Sequence, residues 1–409
     1  MGPVQRKKRL KGILRQRGLS VNYMSGKIKS VLMISQTFYP LRGGAEKQAF
    51  ELSKALVKKG VQVTVITRRT CGLPARETLE GVKIERFRVA GSGAADSLWF
   101  MLRVFFYMLT HRAEYDAAHV HLASSPAVAA VLAGRLTGKK IVVKLGRGRG
   151  LDELTLSRRT FLGRLKLKFF SLTGPEILVL NRAAFEWLKN SAEFRGLRVR
   201  LFRNGVDTGR YTPPLYHEKI AAKAAVGLEN EAVFLAVGRL VPEKRMREFV
   251  EQWAEVLGEE GANPKIRLVI VGEGSEENNL KNAIEKMAVG QSVILAGPKD
   301  DLLPYYRAAD IFVLPSLTEG MSNSMLEAMA CGVAVMASRV DGARDAIIDG
   351  ESGSLFDPLS PAEIKQCLRR HIADRGLAIR MGERARATAV ERYSMARVAD
   401  EILEIYGQN

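Results

Sequence analysis

Two glutamates, Glu319 and Glu327, stand eight positions apart in the stretch LPSLTEGMSNSMLEAMACGVAV. Ile311–Leu314 is short, apolar and rich in β-formers, the pattern of a buried strand. Ser316 to Gly320 has the composition of a loop, and Ser322 or Asn323 can cap a helix through Met325, Leu326, Ala328 and Met329. One carboxylate then lies on the loop beyond the strand's C-terminal end, the other within the following helix. Between them is a helix N-terminus, whose free N–H groups and dipole favour an anion. The sugar hydroxyls, diphosphate and ribose diol of a nucleotide sugar match such a set. A capped helix carrying two solvated glutamates matches it too, and the pair alone does not decide.

Further features fall where strands should end. Gly43 and Gly44, in PLRGGAE, precede a helix and let backbone N–H groups come close to a phosphate or sugar, or form a plain turn. His119-Val120-His121 closes a strand, and residues two apart share a face. The pair can serve a reaction or satisfy strand-end hydrogen bonds; no third residue nearby completes a metal site. In VGRLVPEKR, Arg239 and Lys244 follow a strand five positions apart, a forked guanidinium and a point charge suited to a diphosphate leaving group. Arg245 fits a solvated turn. Val271-Gly272-Glu273-Gly274 is a tight turn before a helix, and neither glycine pair is a dinucleotide fingerprint. The run GRGRG at 146–150 is a cationic loop without interleaved aromatic residues, which speaks against a single-stranded nucleic-acid platform.

These residues need strands and helices to hold them. Val31–Ser35, Val61–Thr67, Ala118–His121, Ile141–Lys144 and Ile177–Leu180 form one series of expected strands, with a helix at Ala45–Lys59. A second series follows the polar turn Asn204–Asp207: Val233–Val237, Leu268–Val271, Val293–Ala296, Ile311–Leu314 and Val333–Ala337. Helices near 245–257, 276–288, 301–308 and 323–330 separate them. Such alternation predicts βαβ units and parallel sheets, hence an α/β fold of two doubly wound domains facing a cleft. In such sheets ligands bind beyond the carboxyl ends of the strands.

The chain has 409 residues, three widely spaced cysteines and a formal charge of +19. Odd, scattered cysteines offer neither a disulfide framework nor a metal spacing and suit a reducing cytosol. Residues 1–30 hold nine Lys or Arg and no acid; residues 135–170 hold eleven against Asp152 and Glu153. Charge clustered this way attracts polyanions, of which an anionic membrane surface or a phosphorylated acceptor is expected here and nucleic acid is not. The apolar run LWFMLRVFFYMLT at 98–110 is thirteen residues long and broken by Arg103, too short to span a bilayer; it is either an interfacial amphipathic helix or a packed one.

Taken in order, FYPLRGGAE, HVH, RNGVD, VGRLVPEK, VGEG, LAGPKDDLLPYYRAADIFVLPS and EGMSNSMLEAMACG resemble the retaining GT-B glycosyltransferases of family 4 over about residues 30–395. The resemblance implies a basic tail at 1–27, an acceptor-binding domain at 28–205 plus 393–409, and a nucleotide-sugar-binding domain at 206–392. It implies donor contacts from Gly43, Gly44, Met321, Ser322, Asn323 and Ser324, a ribose contact from Glu327, and a base contact from the Gly297–Lys299 backbone. It gives the reacting groups as His121 (with His119 as competitor), Arg239, Lys244 and Glu319. It further implies a UDP- or GDP-linked co-substrate, no metal or other cofactor, a lipid-linked or saccharide acceptor, and a cytoplasmic protein peripheral to the membrane's inner face. Two other readings are a charge-driven nucleic-acid or membrane binder without catalysis, and a nucleotide-sugar epimerase of the same fold. Departures from the family pattern are Ser322 where proline is common and Arg245 where glycine is common.

Overall fold

Buried β-branched runs and amphipathic helices alternate along the chain, and they assemble into two separate sheets. The computed structural model describes residues 28–408 apart from 42, 71, 89–93, 147–152 and 261–264. The basic segment 1–27, Arg42, Cys71 and the GRGRG run beyond Gly146 lie outside the described residues.

The first sheet contains β1 (Ser30–Ile34), β2 (Gln62–Arg68), β3 (Arg76–Leu79), β4 (Val82–Phe87), β5 (Ala117–His121), β6 (Lys140–Lys144), β7 (Glu176–Val179) and β8 (Arg198–Leu201). Their order is β3-β4-β2-β1-β5-β6-β7-β8, and every pairing is parallel except β3 with β4. The second sheet contains β9 (Ala232–Val237), β10 (Ile266–Val271), β11 (Val293–Gly297), β12 (Ile311–Leu314), β13 (Ala334–Ser338) and β14 (Gly353–Phe356). It is parallel throughout, in the order β11-β10-β9-β12-β13-β14. β5, β12 and β13 are buried at every position, as strands covered on both faces must be.

The winding reverses between β1 and β5 in the first sheet and between β9 and β12 in the second. Loops leaving adjacent strands diverge there, and a crevice opens at the strands' carboxyl ends. Gly43–Gly44 follows β1, His121 ends β5, Arg239 follows β9 and Glu319 follows β12. These four expected positions therefore stand at the two reversals, while Lys299 follows the edge strand β11.

Helices Ala94–Thr110, Ser125–Thr137 and Phe161–Thr173 pack into one core on one face of the first sheet. Helices Gly44–Lys58 and Met395–Tyr406 share a core on the other. The chain thus returns to its first domain at the end. Where it crosses, Val206 N–H donates to Tyr393 O and Met395 N–H to Val206 O, both at 2.8 Å. Gly205 is required at this crossing, because a Cβ there would lie 2.8 Å from Met395 Sδ and 3.0 Å from its Cα.

Candidate active site

The helix Asn323–Ala330 begins as its sequence predicts: Ser322 is the N-cap, and its Oγ accepts from Met325 N–H at 3.3 Å. Ser322 and Ser324 hydroxyls are 3.1 Å apart. Glu319, on the loop before this helix, accepts from Ser316 Oγ at 3.0 Å and forms an ion pair with Lys244. Lys244 ends a short 3-10 turn at Pro242–Lys244, and Leu317 N–H donates to Glu243 O at 2.8 Å, so the loops after β9 and β12 are tied together. Arg239 is exposed on the same loop and makes no side-chain ion pair among the described residues. Gly272 has φ +147 and passes so close to Gly238 that a Cβ would lie 1.9 Å from its carbonyl oxygen. The second glycine-containing turn thus lets the loops after β9 and β10 touch. Lys299 is exposed beyond β11, the edge strand of its sheet. Asp301 precedes Leu302, the N-cap of helix Leu303–Ala308, and accepts from Leu303 N–H at 3.2 Å.

The two domains meet over this helix start. Asn323 Nδ2 donates to Gly44 O at 2.9 Å, and a Cβ on Gly44 would stand 3.4 Å from that amide. Asn204 Nδ2 donates to Met321 O at 3.1 Å and to Asn323 Oδ1 at 2.9 Å. Asn181, N-cap of helix Arg182–Asn190, donates to Gly320 O at 3.1 Å. Gln48 pairs both ways with the Gly205 backbone, at 2.7 and 3.0 Å.

Glu327 is 4% exposed, and Lys47 Nζ, from the other domain, lies 2.6 Å from its Oε1. Lys47 also donates to Tyr211 OH at 3.2 Å. Burial works against the Lys47 charge, but Glu327 and then Tyr211 outweigh it, and the pKa is raised. Sequence reading gave Glu327 to a ribose and did not single out Lys47. The only signal was its place three residues beyond Gly44 on the helix that faces the cleft.

His119 and His121 do share a face: their rings stack at 4.5 Å and 3°. They differ in surroundings. His119 is fully buried with Nδ1 2.7 Å from Tyr406 OH. His121 is 3% exposed and is the register partner of Lys144 on β6. Burial pushes both down, His121 to about 3 with Lys144 adding repulsion, so both rings are neutral at neutral pH. Neither Nε2 has a hydrogen-bond partner among the described residues. A concavity of about 340 Å³ beside Lys54, Lys58, Asp207 and Met395 is lined by none of the predicted site residues.

Two facing Rossmann-like domains with a cleft at their winding reversals define the GT-B architecture. Two family models match, "Glycosyltransferase Family 4" over residues 42–210 and "Glycosyl transferases group 1" over residues 218–388. The chain belongs to these glycosyltransferases and is a transferase. It is 27% identical to the UDP-Gal:alpha-D-GlcNAc-diphosphoundecaprenol alpha-1,3-galactosyltransferase of Escherichia coli, over 73% of this chain and 77% of that one. It is 26% identical to the lipopolysaccharide core biosynthesis glycosyltransferase LpsE of Rhizobium meliloti, over 89% and 95%. Among solved structures it is similar in fold to Anabaena HepE in complex with UDP and glucose, with TM-score 0.75, 19% identity and coverage of 92% and 99%.

Proposed function

We propose that this protein is a retaining hexosyltransferase that moves a sugar from a UDP- or GDP-linked donor to a lipid-linked or saccharide acceptor at the cytosolic membrane face, in glycolipid or polysaccharide assembly. The observation that carries this reading is one gathering of groups. Arg239, the Lys244–Glu319 pair and the start of helix Asn323–Ala330 stand at one end of the C-terminal sheet, with Gly44 of the other domain bonded to Asn323. Fixed cations and free backbone amides there meet the charge that grows on a departing diphosphate. The bond from the anomeric carbon to the phosphate oxygen breaks with its electron pair on the diphosphate. The acceptor oxygen bonds the same face of the sugar, and its proton passes to the leaving phosphate. Glu319 takes a donor hydroxyl, Glu327 the ribose, Met321 to Ser324 the sugar and phosphate, and the Gly297–Lys299 backbone the base. His121 stands at the sugar side, since Tyr406 engages His119 in the core. Arg239 and Lys244 take the place a metal would otherwise fill.

The name of the Escherichia coli relative gives that protein a diphosphoundecaprenol-linked acceptor. A lipid-borne acceptor also suits the outer face of this chain's first domain. Trp99 is 48% exposed, Phe106 57%, Phe161 68% and Leu162 76%, while Arg103, Arg158, Arg159, Arg164 and Lys168 are exposed among them. Helix Ala94–Thr110 is packed on its inner stripe, with Phe100 and Val104 buried, and apolar on its outer one. Among the described residues no helix is long and apolar enough to cross a membrane. The basic segment 135–170 is divided: Lys144 is buried and Lys140 pairs with Glu176 at 3.5 Å, while Arg135, Arg158, Arg159, Arg164 and Lys168 are exposed.

The test is release of nucleoside diphosphate from a panel of UDP-, GDP- and ADP-sugars with polyprenyl-diphosphate saccharides as acceptors, with the product anomer read by NMR. Folded Glu319→Ala and Lys244→Ala variants should lose about 100-fold or more in kcat. Full turnover by either would void the site assignment, an inverted anomer would void retention, and conversion of donor without acceptor would indicate an epimerase.

A further inference from the structure

Lys144 ends β6 and is 6% exposed, yet no carboxylate among the described residues pairs with it. Its Nζ donates to Asn204 Oδ1 at 2.9 Å and lies 5.5 Å from the centre of the Phe202 ring. Among the described residues the titratable groups around it offer no counter-charge: His121 and His119 on β5, and Tyr406 behind His119 on the last helix. On β7 its register partner is Leu178. An ammonium buried without an anion is among the costlier things a fold can contain. The three preceding residues of this strand, Ile141, Val142 and Val143, are apolar, so strand packing does not ask for a lysine here.

The bond to Asn204 has a directional consequence. An ammonium can only donate to the amide, which fixes the amide oxygen toward Lys144 and the amide nitrogen toward the other domain. That nitrogen reaches Met321 O and Asn323 Oδ1, and Asn323 in turn reaches Gly44 O. A hydrogen-bonded line therefore runs from Lys144 through Asn204 and Asn323 to Gly44, beneath the start of helix Asn323–Ala330.

We propose that Lys144 is a positioning residue of the donor site: through Asn204 it holds Met321–Asn323 in register with Gly44, and its charge finds its counter-ion in the diphosphate of the bound donor. This rests on the reading above that the helix start receives that diphosphate. Burial holds the unliganded amine down to about 7, so the lysine is part neutral near neutral pH. An anion arriving nearby favours the charged form, and binding draws in a proton.

The experiment is calorimetric titration of the full chain with UDP, GDP and ADP at pH 6.5 and 8.5, in buffers of different ionisation enthalpy. Wild type should bind one of them, about five-fold or more weaker at pH 8.5, with net proton uptake. Lys144→Met, checked for folding by circular dichroism and melting, should bind about ten-fold weaker at pH 6.5. It should keep only the pH dependence of the nucleotide's own phosphate. Lys144→Arg should recover affinity and lose the wild-type pH dependence. If wild type binds a nucleotide and Lys144→Met matches it at both pH values, the Lys144 role is overturned while the donor site stands. If wild type binds none of the three, the donor reading fails and takes this inference with it.

Discussion

Replacing Lys144 by methionine should stabilise the protein, and by an amount that depends on pH. The change removes an ammonium and keeps an unbranched stem against Phe202. Burial holds Lys144 down to about 7, against 10.5 in the unfolded chain. Between those two values the unfolded chain carries a proton that the folded chain has shed, so wild-type stability rises with pH across that window. Below about pH 7 both states hold the proton, and the folded state bears the whole cost: the gap at about 1.4 kcal/mol per pH unit is about 5 kcal/mol. Methionine leaves Asn204 Oδ1 without its donor, which costs about 1–3 kcal/mol. The net expectation at pH 6 is a gain of about 2–4 kcal/mol, shrinking to nothing or reversing by about pH 10. Urea unfolding of both proteins at each pH unit from 6 to 10, followed by near-ultraviolet circular dichroism, reads this directly. The reasoning is refuted if the variant is the less stable protein at pH 6, or if the difference between the two stays constant across the series.

Three further outcomes follow from the geometry. Lys47→Met leaves the buried Glu327 carboxylate without its cation; Lys47 is 36% exposed, so the loss should be about 1–3 kcal/mol rather than that of a fully buried pair. Adding Glu327→Gln should restore part of it, and a double-mutant cycle showing no coupling would contradict the ion pair. Arg245 holds φ +52, where non-glycine residues lose about 1–2 kcal/mol. Arg245→Gly should gain up to about 1 kcal/mol in urea after chain entropy and the 3.5 Å contact with Glu248 are set against it, and a clear loss would place value on the arginine itself. Trp99→Glu with Phe106→Glu should weaken flotation with vesicles of anionic phospholipid several-fold while leaving nucleotide binding unchanged; equal flotation would remove this helix from any membrane surface.

What the sequence made legible follows from the range of the forces involved. Local signals placed the strand Ile311–Leu314, the cap at Ser322 and the helix Asn323–Ala330, because each rests on a few consecutive residues. Parallel strands buried on both faces carry an apolar run that cannot be mistaken for a surface element, so both sheets could be read. The hairpin of β3 and β4 escaped: RETL at the sheet edge is polar at its first three positions and nowhere buried, and VKIERF beside it carries the charged Lys83, Glu85 and Arg86 among its apolar residues. β8 escaped for the same reason, with RVRL exposed or half-buried throughout. The site divided along the same line. Arg239, Lys244, Glu319 and Glu327 are named by their spacing from a strand end, which is local information. Lys47, Lys144, Gln48 and Asn181 matter through partners about 60 to 280 residues distant, and no short window of sequence contains both members. Arg245 shows the converse, a position whose departure from the family pattern was legible but whose meaning was not until its left-handed backbone was seen. A cleft between domains is built from long-range pairs on one side of each contact and local motifs on the other, so sequence reading recovers the motif half first. Lys144 is the sharpest case: within KIVVKLG it is one more cation in a basic stretch, and only the fold reveals that it is buried at a strand end with an amide to orient and, among the described residues, no anion beside it.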